Sequence, residues 1–104
     1  MTGNVWSATA AGTDSGASAT QAAPVAGHRH VCTHISGHTD ADALITIESP
    51  ASTVIWESKI DISLEGTTFS FPVGGVVGAQ DGAIVGKVAS STANCQVNIS
   101  GYQV

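Results

Sequence analysis

The stretch "LITIESPASTVIWESKI", residues 44–60, decides the fold class of this 104-residue chain. Ile45 and Ile47 alternate with polar residues in its first half, a period of two that is typical of a β-strand with one buried face. "SPAS" then supplies turn-forming residues, and "TVIWESKI" returns with Trp56 toward the core and Glu57 in water. The stretch therefore predicts a β-hairpin, which we place over residues 43–60.

The remainder of the chain from residue 28 onward has the same character. "HVCTHIS", "TFSF", "AIVGKVA" and "CQVNISGYQV" read as strands, and segments rich in Gly, Ser and Asp separate them. In the last strand we expect Cys95, Val97 and Ile99 to face inward. No segment of helical length shows a 3.6-residue period. The sequence predicts an all-β fold, a two-sheet antiparallel β-sandwich of jelly-roll or immunoglobulin-like type.

The N-terminal quarter has a different composition. Residues 1–27 are mainly Ala, Ser, Thr and Gly, and such a segment buries too little apolar area to offset backbone ordering of about 1–2 kcal/mol per residue. We therefore expect a flexible, extended N-terminal arm over 1–27 and a β-sandwich domain over 28–104. Val5 and Trp6 are the expected contacts of this arm with a neighbouring protein; the alternative is that Trp6 folds back onto its own domain.

Composition and charge exclude several partners. The net charge is −5 with only three basic residues, so little is available to neutralise phosphates, and we expect neither nucleic acid nor an acidic membrane as a partner. The N-terminus lacks the pattern of a secretory signal, and no apolar run is long enough to cross a bilayer. Only 11% of residues are charged, which favours a surface that packs against another protein.

All four histidines fall in the run "HRHVCTHISGH", residues 28–38. In a straight strand, alternate residues project from one face, and the first and fourth of them lie about 20 Å apart. At most two of these side chains could therefore share a metal ion. The residues of this predicted face are His28, His30, Cys32 and His34.

The opposite face of this strand carries Val31 and Ile35, which are better core residues. We therefore expect the histidines and Cys32 to face outward, and we predict no metal ion and no other cofactor. Cys95 is expected to face the core, so the two cysteines should not form a disulfide.

Four segments, "GHRHVCTHISG", "TVIWE", "FPVGGVVG" and "VNISGY", resemble the small β-sandwich decoration (cement) proteins of tailed bacteriophage capsids, over residues 27–102. The resemblance implies a viral structural protein, made in the host cytoplasm and located on the virion, that binds the outer capsid surface and stabilises it by bridging subunits. Its implied partners are the major capsid protein and copies of itself, as a homotrimer. His28, His30 and His34 would then lie between subunits, where one His from each of three chains could still share a metal.

Two other classes compete with this interpretation. A carbohydrate- or receptor-binding module of a phage fibre or tail would use the same fold, but Trp56, Phe69 and Phe71 fall on inward positions and leave no exposed aromatic row. A metalloenzyme would need a ligand set with an open coordination position, and no complete set is visible. No nucleophile elbow or phosphate-binding loop is present, so we predict a protein without catalytic residues.

Overall fold

The computed structural model describes residues 5–12, 16–39, 42–60, 66–71, 74–89 and 94–104. The described parts contain nine β-strands and no helix. Residues 1–4 and 13–15 of the expected arm lie outside them. The strands are β1 (Val5–Gly12), β2 (Ala17–Gln21), β3 (His30–Thr39), β4 (Ala43–Glu48), β5 (Val54–Ile60), β6 (Gly66–Ser70), β7 (Val76–Val77), β8 (Ile84–Ala89) and β9 (Cys95–Gln103).

The strands form two antiparallel sheets. Sheet A has the order β1-β9-β3-β6, with β7 pairing the start of β3, and sheet B has the order β2-β8-β4-β5. The chain therefore pairs like one long hairpin, β1 with β9, β2 with β8, β3 with β6 and β4 with β5, rolled into two layers. This order is that of a jelly roll, because these nested pairs alternate between the two sheets. The predicted two-sheet antiparallel β-sandwich is confirmed.

The hairpin predicted from residues 44–60 is present as β4 and β5. Ile47 lies opposite Trp56, and a cis peptide bond joins Ser49 to Pro50 in the turn between the strands. Ile45 and Ile47 have no exposed surface, as their alternation predicts. Ile60 at the end of β5 is buried as well, so both strands of the hairpin place their apolar face on sheet A.

The core lies between the two sheets and is composed of branched aliphatic and small side chains. Its buried members are Trp6, Ala17, Ala19, Cys32, Ile35, Ile45, Ile47, Ile60, Ile84, Val88, Cys95, Val97 and Ile99. The predicted inward positions of β9, namely Cys95, Val97 and Ile99, are confirmed. The β5–β6 side of the sandwich is closed by aromatic rings, with Trp56 edge-on to Phe69 at a centroid distance of 4.8 Å.

In place of the arm expected over residues 1–27, the described parts of this segment form two strands of the sandwich. β1 pairs with β9 over eight residue pairs, and β2 pairs with β8 over five. Trp6 on β1 and Ala17 and Ala19 on β2 are buried in the core. The physical reason is that alanine conceals the alternation: its side chain is small, but it lets the two sheets approach closely at this side. The sandwich therefore includes residues on both sides of the boundary expected at residue 27.

Candidate functional site

A β-bulge in β3 determines where the histidine-rich run places its side chains. Cys32 lies opposite Gly101 of β9, and His34 lies opposite the next residue back, Ser100. Thr33 is therefore one extra residue in β3, and it donates from its hydroxyl to the Ser100 carbonyl at 3.3 Å. An inserted residue reverses the sides to which the following side chains point.

The bulge corrects the expectation that all these histidines and Cys32 face outward. Before the bulge, His30 and Cys32 have no exposed surface, and Cys32 belongs to the core. After it, Ile35 points into the core, whereas His34 and His38 are exposed. A straight strand could not produce this change of side, so the uniform alternation assumed from the sequence holds only as far as Cys32.

His30, the first residue of β3, is buried inside the sandwich. Its Nε2 donates to the Ala22 carbonyl at 2.6 Å, and its ring stands edge-on to the Trp6 ring, with centroids 5.3 Å apart. Its Nδ1, like the Trp6 Nε1 and the His28 Nδ1, is buried without a hydrogen-bond partner among the described residues. His30 therefore has a structural role in packing β1 and β3 across β9.

The two residues expected to contact a neighbour through an arm lie in different environments. Trp6 is only 7% exposed and packs in the core of its own domain, which is the alternative that the sequence left open. Gly101 makes room for it, since a methyl group there would lie 2.9 Å from Trp6 Cζ2 and 1.8 Å from the Val31 carbonyl oxygen. Val5 is 85% exposed and remains available at the surface.

Neither cysteine forms a disulfide bond, and both are buried in the same core cluster. They are unbridged as predicted, but the reason given, that Cys32 faces outward, is wrong. Burial raises the pKa of the Cys32 thiol to about 11 and outweighs the lowering by backbone hydrogen bonds at His34 and Ser100. The thiol donates to the His34 carbonyl at 3.3 Å. Cys32 is therefore a packed thiol rather than a reactive one.

Within the described residues, no group of three or more His, Cys, Asp or Glu side chains could hold a metal ion. The bulge separates His28 and His30, near the buried end of β3, from His34 and His38 on the outside of sheet A. A single chain thus does not bring the sequence-predicted residues together at one point.

The outside of sheet A carries a regular array of short polar side chains, which we name the polar face. Cross-strand pairing arranges these residues in rows, because residues directly opposite each other point to the same side. The rows are Ser7, Ser100, His34 and Ser70; Thr9, Asn98, Ser36 and Thr68; and Ala11, Gln96 and His38. Asn98 Nδ2 donates to Ser36 Oγ at 3.4 Å across two strands. A shallow groove runs over the first two rows.

One further row, at the end of sheet A near the start of β3, is apolar. This apolar row consists of Val5, Tyr102, Val31 and Val77, which lie opposite one another across four strands. Val5 and Val77 are 85% and 49% exposed, whereas Val31 is covered by Gly75. The apolar row and the polar face are continuous and together form one surface.

The charge on this surface differs from that of the rest of the described chain. The described carboxylates belong to Asp42, Glu48, Glu57 and Asp81, and none lies on the polar face or the apolar row. Glu48 and Glu57 lie on sheet B, where Glu48 contacts the Lys87 ammonium at 3.9 Å. Among the described residues, the outside of sheet A therefore carries no acidic side chain.

Part of this surface was visible in the sequence. Gln96, Asn98 and Ser100 alternate with the inward residues of β9, and their outward position could be read from that period. Ser7 and Thr9 were missed because β1 was not recognised as a strand. The rows depend on which strands are neighbours, and the sequence contains no local signal for that.

No protein-family model matches the chain, and no curated protein matches it significantly. In the described residues, no helix is long and apolar enough to cross a membrane.

Proposed function

We propose that this protein is a non-enzymatic viral structural protein that binds the outer surface of an assembled capsid and stabilises it by bridging subunits. The observation that carries the proposal is the outside of sheet A, where the polar face and the apolar row lie on the same side of the sheet and contain no acidic side chain among the described residues. The jelly-roll strand order is also common among viral coat proteins, although a fold alone does not define a function.

The dimensions and composition of this surface suit contact with another protein. Strand spacing of about 4.8 Å and a rise of about 3.4 Å per residue give an area roughly 14 Å wide across four strands and about 20 Å long from Gln96 to Tyr102. Its side chains are mostly Ser, Thr, Ala and Asn, which lose little rotamer entropy on binding compared with Lys or Glu. Val5 and Tyr102 add apolar contact area at one end.

The chemistry of the same surface supports a role in binding rather than catalysis. His34 and His38 are its ionisable imidazoles, and no described carboxylate lies beside them to orient a ring as a general base. The Thr33 hydroxyl lies 3.0 Å from His34 Nδ1 and belongs to the bulge; because its O–H donates to the Ser100 carbonyl, its oxygen accepts from the His34 ring nitrogen. These contacts fix the position of His34 on the face.

Copurification with virus particles tests the proposal. Particles from the virus that carries this chain would be banded on a density gradient and washed, and their proteins quantified by mass spectrometry. We expect the chain to remain with intact shells at a constant ratio to the major capsid protein. Recovery only in the soluble fraction would contradict the proposal.

A second candidate is a carbohydrate- or receptor-binding module, and the groove on the polar face favours it. The groove has a volume of about 350 Å³ and is lined by hydroxyl, amide and imidazole groups that could hydrogen-bond to sugar hydroxyls, including those of Ser7, His34, Thr68 and Asn98. It contains no aromatic ring for a sugar to stack on. A glycan array separates the two candidates, since specific binding that Asn98→Ala abolishes would favour the module over the capsid protein.

A further inference from the structure

β1 has one edge that no described strand covers. It stands at the end of sheet A and pairs only with β9 in the described part of the chain, over eight residue pairs. In an antiparallel sheet, alternate residues of an edge strand direct their N–H and C=O groups away from the sheet. The free edge of β1 is thus a template on which another strand can form a ladder.

The usual protections of an edge strand are absent from β1. It contains no charged residue and no proline, and its register with β9 has no bulge. Sheet B has two edge strands: β5 carries Glu57 and Lys59 and its register with β4 is irregular after Ile47, whereas β2 is uncharged but only five residues long. Charges, bulges and short length are common protections of natural edges, and the eight-residue edge of β1 has none of them, so it is open to a covering partner.

We propose that β1 pairs antiparallel with β1 of a second copy of this chain about a twofold axis, so that two copies of sheet A become one continuous sheet. Residues that pair across the two strands must point to the same side of the sheet, so the twofold axis passes beside a residue and not between two residues. An axis at Ala8 or Thr9, in the middle of β1, gives the longest overlap of the two strands. With the axis at Ala8, the bulky residues at one end of the strand meet small residues at the other. The resulting pairs are Val5 with Ala11, Trp6 with Ala10, and Ser7 with Thr9.

Charge favours a second copy as the occupant of this edge. Two chains of net charge −5 repel each other over most orientations, but neither β1 nor the adjoining polar face has a described carboxylate. The edges therefore meet without like charges, and the short side chains of β1 leave the backbones free to approach. This inference is independent of capsid binding, since it concerns the edge of the sheet and not its face.

A charge-swap experiment tests the pairing. Ser7→Lys/Thr9→Lys and Ser7→Asp/Thr9→Asp each place like charges across the twofold axis, and sedimentation equilibrium over a concentration series gives the masses. We expect a dimer for the unmodified chain, at twice the chain mass of 10.4 kDa. Each variant alone should be a monomer with its dissociation constant raised at least tenfold, and an equimolar mixture of the two should form dimers again.

Thr68→Lys/Ser70→Lys on β6 is the matched control, because it adds the same charges at the opposite edge of sheet A. We expect this variant to remain dimeric. If the β1 variants fail to fold, hydrogen exchange of the unmodified chain still tests the pairing. The β1 amides should then exchange more slowly as the protein concentration rises. A monomer at all concentrations, a trimer, or a dimer that the β1 charges leave unchanged would overturn the proposal.

Discussion

Replacement of Trp6 by alanine tests whether the N-terminal segment is part of the folded core. The side chain is 7% exposed, and a buried tryptophan removes about 150–250 Å² from water. At about 25 cal/mol per Å², its burial contributes roughly 4–6 kcal/mol as an upper bound. The indole N–H lacks a partner among the described residues, which offsets about 1–3 kcal/mol of this.

We therefore expect Trp6→Ala to lower the free energy of unfolding by about 3 kcal/mol, within the range found for large-to-small core substitutions. Trp6→Phe should cost less than about 1.5 kcal/mol, because the phenyl ring keeps the contact with His30 and removes the unpartnered donor. Urea unfolding followed by circular dichroism measures both values. The control, Val5→Ala at an exposed position of the same strand, should change stability by less than about 0.5 kcal/mol. A Trp6→Ala variant as stable as the Val5→Ala control would show that β1 does not belong to the core.

Two further predictions concern the histidine-rich strand. His30→Ala should lower the free energy of unfolding by about 2–3 kcal/mol, because His30 is fully buried. The exposed-residue controls His34→Ala and His38→Ala should each lower it by less than about 0.5 kcal/mol. Equal losses of stability for all three variants in urea unfolding would refute the bulge. Cys32 should resist iodoacetamide until the protein unfolds. The pKa of the Cys32 thiol is about 11 in the folded chain and 9.0 in the unfolded chain, so the unfolded thiol loses its proton first as the pH rises. The free energy of unfolding should therefore fall between pH 9 and pH 11 by about 2–3 kcal/mol more in the unmodified chain than in Cys32→Ala. The same pH dependence in both proteins would refute the burial of this thiol.

The fold class could be predicted because several strands have a clear local pattern of alternating apolar and polar residues. The alternation of Ile45 and Ile47, and of Cys95, Val97 and Ile99, fixed both the strand type and the buried side. β1 and β2 were not predicted as strands, because their inward residues are mostly alanine, which differs little in hydrophobicity from the serine and threonine beside it. Their strand conformation depends on pairing with β9 and β8, which are distant in sequence.

The candidate site was harder to predict than the fold. The extra residue Thr33 reverses the sides of β3, and nothing in "HVCTHIS" marks its position, because the bulge is defined by pairing with Ser100 and Gly101 on β9. The polar face likewise combines residues from four strands whose order is a property of the tertiary structure. The sequence did indicate a weakly charged surface, and the structure locates such a surface on sheet A.

Shell binding by face variants tests the central claim, that the outside of sheet A is the binding surface, most directly. If the proposal holds, the chain has a cognate capsid, and purified shells of that capsid would be incubated with Asn98→Arg, at the centre of the polar face, or with Ser18→Arg, an exposed position on sheet B. The account predicts that Asn98→Arg raises the dissociation constant for the shells at least tenfold, about 1.4 kcal/mol, because an unpaired charge would be buried in the contact. Ser18→Arg should bind like the unmodified chain. Equal occupancy of the two variants would contradict the account.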